Sequence, residues 1–215
     1  MPVFPMFVDL KGKRCVVVGG GNVAARKIEA LMAFGPAITV VSPNAVNEIV
    51  QLADMRQIDL LLREYREDDL SEAFVAIAAS DDEAVNESVY NSCVKRGIMV
   101  NTVDDPEKCT FIFPAIVRRG DLVVGVSTSG RYPSMSKKVR QHVGASIPPY
   151  WGEAVDLLEP FRVRAKEEIK NEEKRKRALR EIMDEALSCY EKYERQQLLL
   201  RLERIFEGYA DYEND

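Results

Sequence analysis

The stretch Cys15-Val16-Val17-Val18-Gly19-Gly20-Gly21-Asn22-Val23-Ala24 constrains the fold more than any other part of the chain. Its apolar, mostly β-branched beginning has the length and composition of a strand buried on both faces. The strand runs directly into Gly19-x-Gly21-x-x-Ala24, the G-x-G-x-x-A form of a dinucleotide fingerprint. Apolar residues then recur at Ala24, Ile28, Leu31, Met32 and Gly35, the spacing of one helical face. Each small residue has a mechanical reason. Gly19 permits the tight turn, Gly21 leaves no side chain in the path of a pyrophosphate, and Ala24 lets helix and strand approach. The start of the helix offers unpaired N–H groups to the anion.

The same alternation continues. Ala37–Val41 reads as a second strand, and Ser42-Pro43-Asn44 as the start of a helix reaching about Met55. Ile58–Leu62 and Ala73–Ala79 are further strands. Asp81 is placed to cap a helix carrying Val85, Val89, Tyr90 and Cys93, Gly97 to end it, and Ile98–Asn101 to form a fifth strand. This order predicts a Rossmann-type α/β domain, a parallel sheet with helices on both faces. Ligands of such sheets lie at the carboxyl ends of the strands, where Gly21, Ser42, Ala79–Ser80 and Asn101–Asp104 fall. Ser42 stands where many such folds carry a ribose-binding carboxylate, so the usual rule for NAD against NADP has nothing to act on.

Beyond Asp105-Pro106 the pattern changes. Phe111–Val117 and Leu122–Ser127 read as a hairpin about Arg119-Gly120-Asp121. A polar loop, Ser127 to Pro133, leads to a helix from Ser134 that carries Lys137, Lys138 and Arg140 up to Pro148-Pro149. From Tyr150 onward the chain reads as helical. Its apolar faces are Leu157, Leu158, Phe161 and Val163, then Leu179, Ile182, Met183 and Leu187, then Leu198, Leu199, Leu202, Ile205 and Phe206. Gly208 and an acidic tail close it. The expected division is 1–113 for the sheet domain, 114–147 for a small α+β segment, and 148–215 for an all-helical region.

Composition limits the chemistry. A net charge of −5 argues against general nucleic-acid binding, and the run Lys170–Arg177 reads as a solvated helix face. With one histidine, His142, a histidine zinc site is excluded, and no metal ligand set is assigned. The four cysteines, Cys15, Cys93, Cys109 and Cys189, form no C-x-x-C pair and read as free thiols of a reducing cytoplasm. No apolar run has the length of a membrane span, and the first residues do not read as a secretion signal.

Asp104 stands just past a strand end that faces the expected cofactor, so it is either a turn aspartate or a general acid–base carboxylate. Asp105, directly before Pro106, is the better turn residue. Ser127, Thr128 and Ser129, with Arg118, Arg119, Arg131, Lys137, Lys138 and Arg140 nearby in sequence, form either a plain polar loop or a site for a polyanion. His142 reads as structural.

Several ordered motifs together carry a family resemblance. They are Pro5 to Leu10, Val18 to Ala24, Ala76-Ile77-Ala78-Ala79-Ser80-Asp81-Asp82 with Val85-Asn86, Asn101-Thr102-Val103-Asp104-Asp105-Pro106, Phe111 to Ala115, and Val126 to Pro133. Over roughly residues 3 to 150 the chain resembles the precorrin-2 dehydrogenase family, the dehydrogenase module of siroheme synthase, some members of which are also sirohydrochlorin ferrochelatases. The resemblance implies NAD-dependent oxidation of precorrin-2 to sirohydrochlorin, with ferrous iron as the substrate of any chelatase step. It implies cofactor contacts at Asn22, Val23, Pro43 and Asn44, the essential carboxylate at Asp104, and a homodimer joined through about 114–147. The family's loop serine aligns with Thr128. No methyltransferase module is expected, so the chain is not expected to make precorrin-2. The alternatives are a dehydrogenase without physiological chelatase activity, an NAD-sensing regulatory module, and a scaffold whose helical tail binds a partner protein.

Overall fold

The computed structural model describes residues 2–210; the acidic tail from Asp211 lies outside them. Two compact units result. One runs through Phe113 and takes in Ser127–Tyr132; the other comprises Pro114–Val126 and the chain from Pro133 on.

The first unit holds a five-stranded parallel sheet built from β1 (Arg14–Val18), β2 (Ala37–Val41), β3 (Asp59–Leu61), β4 (Val75–Ala78) and β5 (Met99–Thr102), in the order β3-β2-β1-β4-β5. Successive side chains of β1 feed opposite faces, as a pleated strand requires. Cys15 and Val17 pack with Ile28 and Leu31 of α1 (Asn22–Met32) and Ile49 of α2 (Asn47–Asp54). Val16 and Val18 pack with Leu70, and with Val89 and Cys93 of α3 (Glu83–Arg96). Each large aliphatic side chain buried in this way contributes roughly 1.5–3 kcal/mol. Burial also pushes the thiols of Cys15 and Cys93 up to about 11, so both stay protonated. All four cysteines are unpaired.

Three local expectations need correction. The helix after β2 starts at Asn47, not at Pro43, because the intervening loop is pinned to the glycine turn by the Val46 N–H donating to the Gly20 carbonyl at 2.8 Å. The cap of α3 is Asp82, not Asp81: its carboxylate accepts from the N–H groups of Ala84 (2.8 Å) and Val85 (3.4 Å). Gly97, with φ 69°, closes that helix as expected. Phe111 and Phe113 do not begin the hairpin; their rings pair at 5.2 Å and pack on the sheet's core. Between β3 and β4 the crossover carries a short 3-10 turn, Glu67–Leu70. Its Asp69 accepts from the Arg66 N–H and the Arg63 guanidinium, each at 2.8 Å.

The second unit opens with the antiparallel pair β6 (Ala115–Arg119) and β7 (Leu122–Val126), turning at Gly120 with φ 56°. Helix α4 (Pro133–Ser146) packs on it. The helices α5 (Tyr150–Glu168), α6 (Glu172–Cys189) and α7 (Arg195–Glu207) form a core of their own. The expected faces supply most of that core, with Leu157, Phe161, Ile182, Leu198, Leu202 and Phe206 buried, and two details differ. Val163 and Met183 are exposed, while Ala165, Ala178 and Ala186 are fully buried and let the helices approach closely. Among the described residues, no helix is long and apolar enough to cross a membrane.

Candidate active site

The strand order reverses between β1 and β4, the place where an open α/β sheet leaves a crevice at its carboxyl edge. Here the glycine turn is packed tightly on one side and open on the other. A Cβ on Gly19 would lie 2.1 Å from the Ala79 carbonyl oxygen, and Gly19 has φ 124°, so only glycine fits. A Cβ on Gly20 would lie 2.0 Å from the Asn44 carbonyl oxygen, which places the exposed loop residues Pro43 and Asn44 beside the turn. At Gly21, by contrast, nothing lies within 4 Å. Gly21 is also the N-cap of α1, with no side chain capping the helix, so the amides of its first turn have no side-chain acceptor. An uncapped helix start above an unobstructed glycine suits a pyrophosphate in both shape and charge. Asn22 and Val23 lie exposed at that start.

Asp104 stands on the same carboxyl edge. Val103 extends the ladder past β5 by donating its N–H to the Ala78 carbonyl at 2.9 Å, and the chain then turns at Asp104 with φ 60°. That left-handed backbone costs a residue with a side chain roughly 1–2 kcal/mol, least for Asp and Asn. Among the described residues the carboxylate has no hydrogen bond and no ion pair, and it lines a cavity of about 240 Å³ with Glu83, Asn86, Thr102, Val103, Asp105 and Lys108. Asp105 does the structural work expected of it. It accepts from the N–H groups of Glu107 (3.2 Å) and Lys108 (3.3 Å), capping the 3-10 turn Pro106–Lys108.

The Ser127–Tyr132 loop belongs to the same unit. A Cβ on Gly130 would sit 3.7 Å from Ile112 and 3.9 Å from Pro106, so the loop lies beside the turn that follows Asp104. Its hydroxyls hold its own shape. Thr128 Oγ1 bonds both the carbonyl (3.0 Å) and the N–H (3.1 Å) of Tyr132, Ser127 Oγ accepts from the Ser129 N–H (3.0 Å), and Ser129 Oγ accepts from the Val3 N–H (3.1 Å). Arg131 is exposed in this unit. Lys137 is exposed on α4 in the other unit, where Arg119 is tied to the Gly144 carbonyl at 3.2 Å. His142 is exposed on α4.

Three further residues lie near Asp104, of which only Asn86 falls in a motif of the sequence. Lys27 on α1 lies over the Phe113 ring at 4.0 Å; burial lowers its pKa, while Cys109 and Asp104 act against that shift. Only the helical period placing it beside the buried Ile28 hinted that this lysine is partly covered. Asn86 closes the loop after β4, donating to the Ser80 carbonyl (2.8 Å) and accepting from the Ser80 N–H (3.0 Å). Cys109 packs against the Asp104 turn through hydrogen bonds of its sulfur, which no spacing rule predicts. No group of three or more His, Cys, Asp or Glu among the described residues could hold a metal ion.

A family model described as "Putative NAD(P)-binding" matches residues 6–115. The siroheme synthase of Photobacterium profundum is 32% identical over 206 residues, 94% of this chain and 44% of its own length. The siroheme synthase of Thioalkalivibrio sulfidiphilus is 38% identical over 177 residues, 82% of this chain and 36% of its own. The chain thus spans less than half the length of these curated relatives. Among solved structures, SirC, precorrin-2 dehydrogenase, superimposes with a TM-score of 0.75 at 26% identity, covering 96% of this chain and 100% of that one. The chain therefore belongs to the NAD(P)-binding family that includes the dehydrogenase module of the siroheme synthases.

Proposed function

We propose that this chain oxidises precorrin-2 to sirohydrochlorin in siroheme biosynthesis, with NAD+ as acceptor and Asp104 as the catalytic base. The observation that carries the reading is Asp104 itself: an exposed carboxylate with no hydrogen bond or ion pair among the described residues, on a left-handed turn, at the same sheet edge as the open Gly21 cradle. The nucleotide supplies the hydride acceptor when it is bound. Gly19 makes the tight turn and Gly21 would leave the pyrophosphate room, the first-turn amides at Asn22 and Val23 would bind it, and Pro43 and Asn44 would line the adenosine side. Loss of a hydride from the tetrapyrrole leaves a proton to be removed, and the Asp104 carboxylate accepts it. Ser127, Thr128, Ser129, Arg131 and Lys137 are assigned to the carboxylates of the substrate. The preference for NAD over NADP rests on the family resemblance, and no arginine directly follows β2 to pair with a 2′-phosphate.

A second activity, insertion of ferrous iron into sirohydrochlorin, fits the same base, since chelation displaces pyrrole protons and the macrocycle supplies the donors. The segment 114–147 is read as the interface of a homodimer, and the unpaired thiols suit a reducing cytoplasm. An NAD-sensing module would need neither Asp104 nor a polyanion site.

Asp104→Asn tests the reading. The substitution keeps the shape and the turn but removes the base. Turnover of precorrin-2 should fall roughly 10²–10⁴-fold, with fold and NAD+ affinity intact. Normal oxidation by the folded variant would remove Asp104 from the mechanism, and absence of NADH formation by the wild type would favour the sensing module. Iron insertion, measured in parallel, shows whether the two reactions share the base. If the basic side chains hold the substrate, KM for precorrin-2 should rise with salt more steeply than KM for NAD+. Equal dependence would count against that assignment.

A further inference from the structure

Cys15 and Cys93 are surrounded by apolar side chains, but Cys109 is not. Its sulfur accepts from the backbone N–H of Thr102 at 3.3 Å and from the side-chain amide of Asn101 at 3.4 Å. It also lies 3.3 Å from the Thr102 carbonyl and 3.2 Å from the Asp105 carbonyl, to which the S–H donates. These partners flank Asp104 on both sides. The strand end behind them is closed as well. Asn101 and Cys109 form an antiparallel bridge, the Thr110 N–H donates to the Val100 carbonyl at 2.8 Å, and the Val100 N–H donates to Thr110 Oγ1 at 2.8 Å. The Asn101 amide donates in addition to the Phe111 carbonyl at 3.1 Å.

Among the described residues the Asp104 carboxylate makes no hydrogen bond, so its place depends on what holds its neighbours. Its backbone sits in a region that a residue with a Cβ leaves readily unless the surroundings over-determine it. Asp105 fixes the chain after the turn by capping the residues that follow. Cys109 alone among these residues bonds to both arms, Thr102 before Asp104 and Asp105 after it. A thiol suits the task because sulfur is at once a weak donor and a weak acceptor. Burial keeps it protonated, so the donor is retained at neutral pH.

We infer that Cys109 is a positioning residue for the proton-transfer step, its thiol clasping the Thr102–Asp105 turn so that the Asp104 carboxylate is held in one place. The inference rests on the reading of Asp104 as the base. A base displaced by about 1 Å typically loses up to 10²-fold in rate without loss of ligand binding.

The test is a double-mutant cycle on single-turnover oxidation of precorrin-2 by the full chain with saturating NAD+. Cys109→Ala should lower the rate by about 10-fold or more with KM for NAD+ unchanged. Cys109→Ser, which keeps a donor and an acceptor, should stay within about 3-fold of wild type. In an Asp104→Asn background the Cys109→Ala change should cost nothing further, because there is no longer a base to position. A wild-type rate for Cys109→Ala overturns the inference, and so does an equal loss in both backgrounds, which marks a merely structural role. Should Cys109→Ala not fold, Cys109→Val, which keeps the volume and lacks the hydrogen bonds, is read in the same cycle with the same criteria. If Asp104→Asn alone turns over normally, the base assignment fails first and the positioning role falls with it. If that variant is inactive while Cys109→Ala is normal, only the positioning role fails.

Discussion

Adjacent glycines in the fingerprint should respond to alanine in opposite ways. At Gly21 a Cβ meets nothing within 4 Å, and the backbone, with φ −84°, is one that alanine adopts freely. Alanine at this N-cap costs about 0.5–1 kcal/mol, and the stiffer unfolded chain returns about 0.4–1 kcal/mol. The folding free energy of Gly21→Ala should therefore stay within about 0.5 kcal/mol of wild type. Its NAD+ affinity should not: a methyl group in the path of the pyrophosphate should raise Kd by about 10-fold or more, roughly 1.4 kcal/mol. At Gly20 the order reverses. A Cβ there lies 2.0 Å from the Asn44 carbonyl oxygen and 2.9 Å from Ala45 Cα, both backbone atoms, so the loop after β2 must retreat. Overpacking of this kind costs about 1–3 kcal/mol. The bond from the Val46 N–H to the Gly20 carbonyl, now 2.8 Å, adds about 0.5–1.5 kcal/mol if it is lost. Gly20→Ala should be destabilised by roughly 2–4 kcal/mol on these terms. Urea unfolding and calorimetric titration with NAD+ on both variants separate the effects. Wild-type NAD+ affinity for Gly21→Ala would show that the pyrophosphate does not cross that glycine, and wild-type stability for Gly20→Ala would refute the loop packing.

Two further outcomes follow from the ion pairs. The Arg63 guanidinium holds the Asp69 carboxyl below the usual carboxylate range, so its stabilisation is complete above about pH 4 and is lost as pH falls through the depressed value. Asp69→Asn should lower the stability at neutral pH and flatten its decline in acid, measured as urea midpoints between pH 2 and 7; an unchanged acid limb would sink the assignment. In the helical unit Arg164 bonds Glu203 at 2.8 and 2.9 Å and Glu168 at 2.9 Å, and stacks over Phe206 at 4.3 Å. These groups are more than a third exposed, so Arg164→Met should cost only about 1–2 kcal/mol by urea unfolding, and a loss above about 4 kcal/mol would mean that the network is far less screened than it is drawn.

How much of this was legible depends on whether one residue's neighbours in sequence decide its surroundings. They do for β1 and β2, where a short β-branched run can only be a buried strand, and β2 falls on the expected Ala37–Val41. They do for Gly97 and for Asp105, whose roles need only local backbone. They do not for the start of α2. Pro43 is an acceptable first helical residue, but the Asn44 carbonyl rests on Gly20, more than twenty positions earlier, and that contact delays the helix to Asn47. In the helical unit most of the announced faces hold, with Leu157, Phe161, Ile182, Leu198, Leu202 and Phe206 buried. Large apolar side chains do not show where helices approach closely, however, so the buried Ala165, Ala178 and Ala186 and the exposed Val163 and Met183 were not legible.

The candidate site divides along the same line. Gly19, Gly21 and the uncapped start of α1 belong to one strand–turn–helix unit, and the fingerprint describes that unit whole. From its position alone Asp104 was visible only as an alternative, because Asp before Asp-Pro reads as a turn or as a base, and it was the family resemblance that singled it out. What favours the base reading is a carboxylate with no hydrogen bond or ion pair among the described residues, which is a property of the folded chain. Asp105 uses its carboxylate to cap the residues that follow, so the Asp104 carboxylate is not needed as a cap there. Cys109 and Lys27 were illegible because nothing in their own segments marks them. Each matters through a turn or a ring that another part of the chain supplies: the Asp104 turn for the thiol, and Phe113 for the ammonium. If the proposed reaction holds, the anion cradle is written in consecutive residues and the proton chemistry is assembled from the ends of separate elements, so single substitutions at Gly21 and at Cys109 probe two different parts of the site.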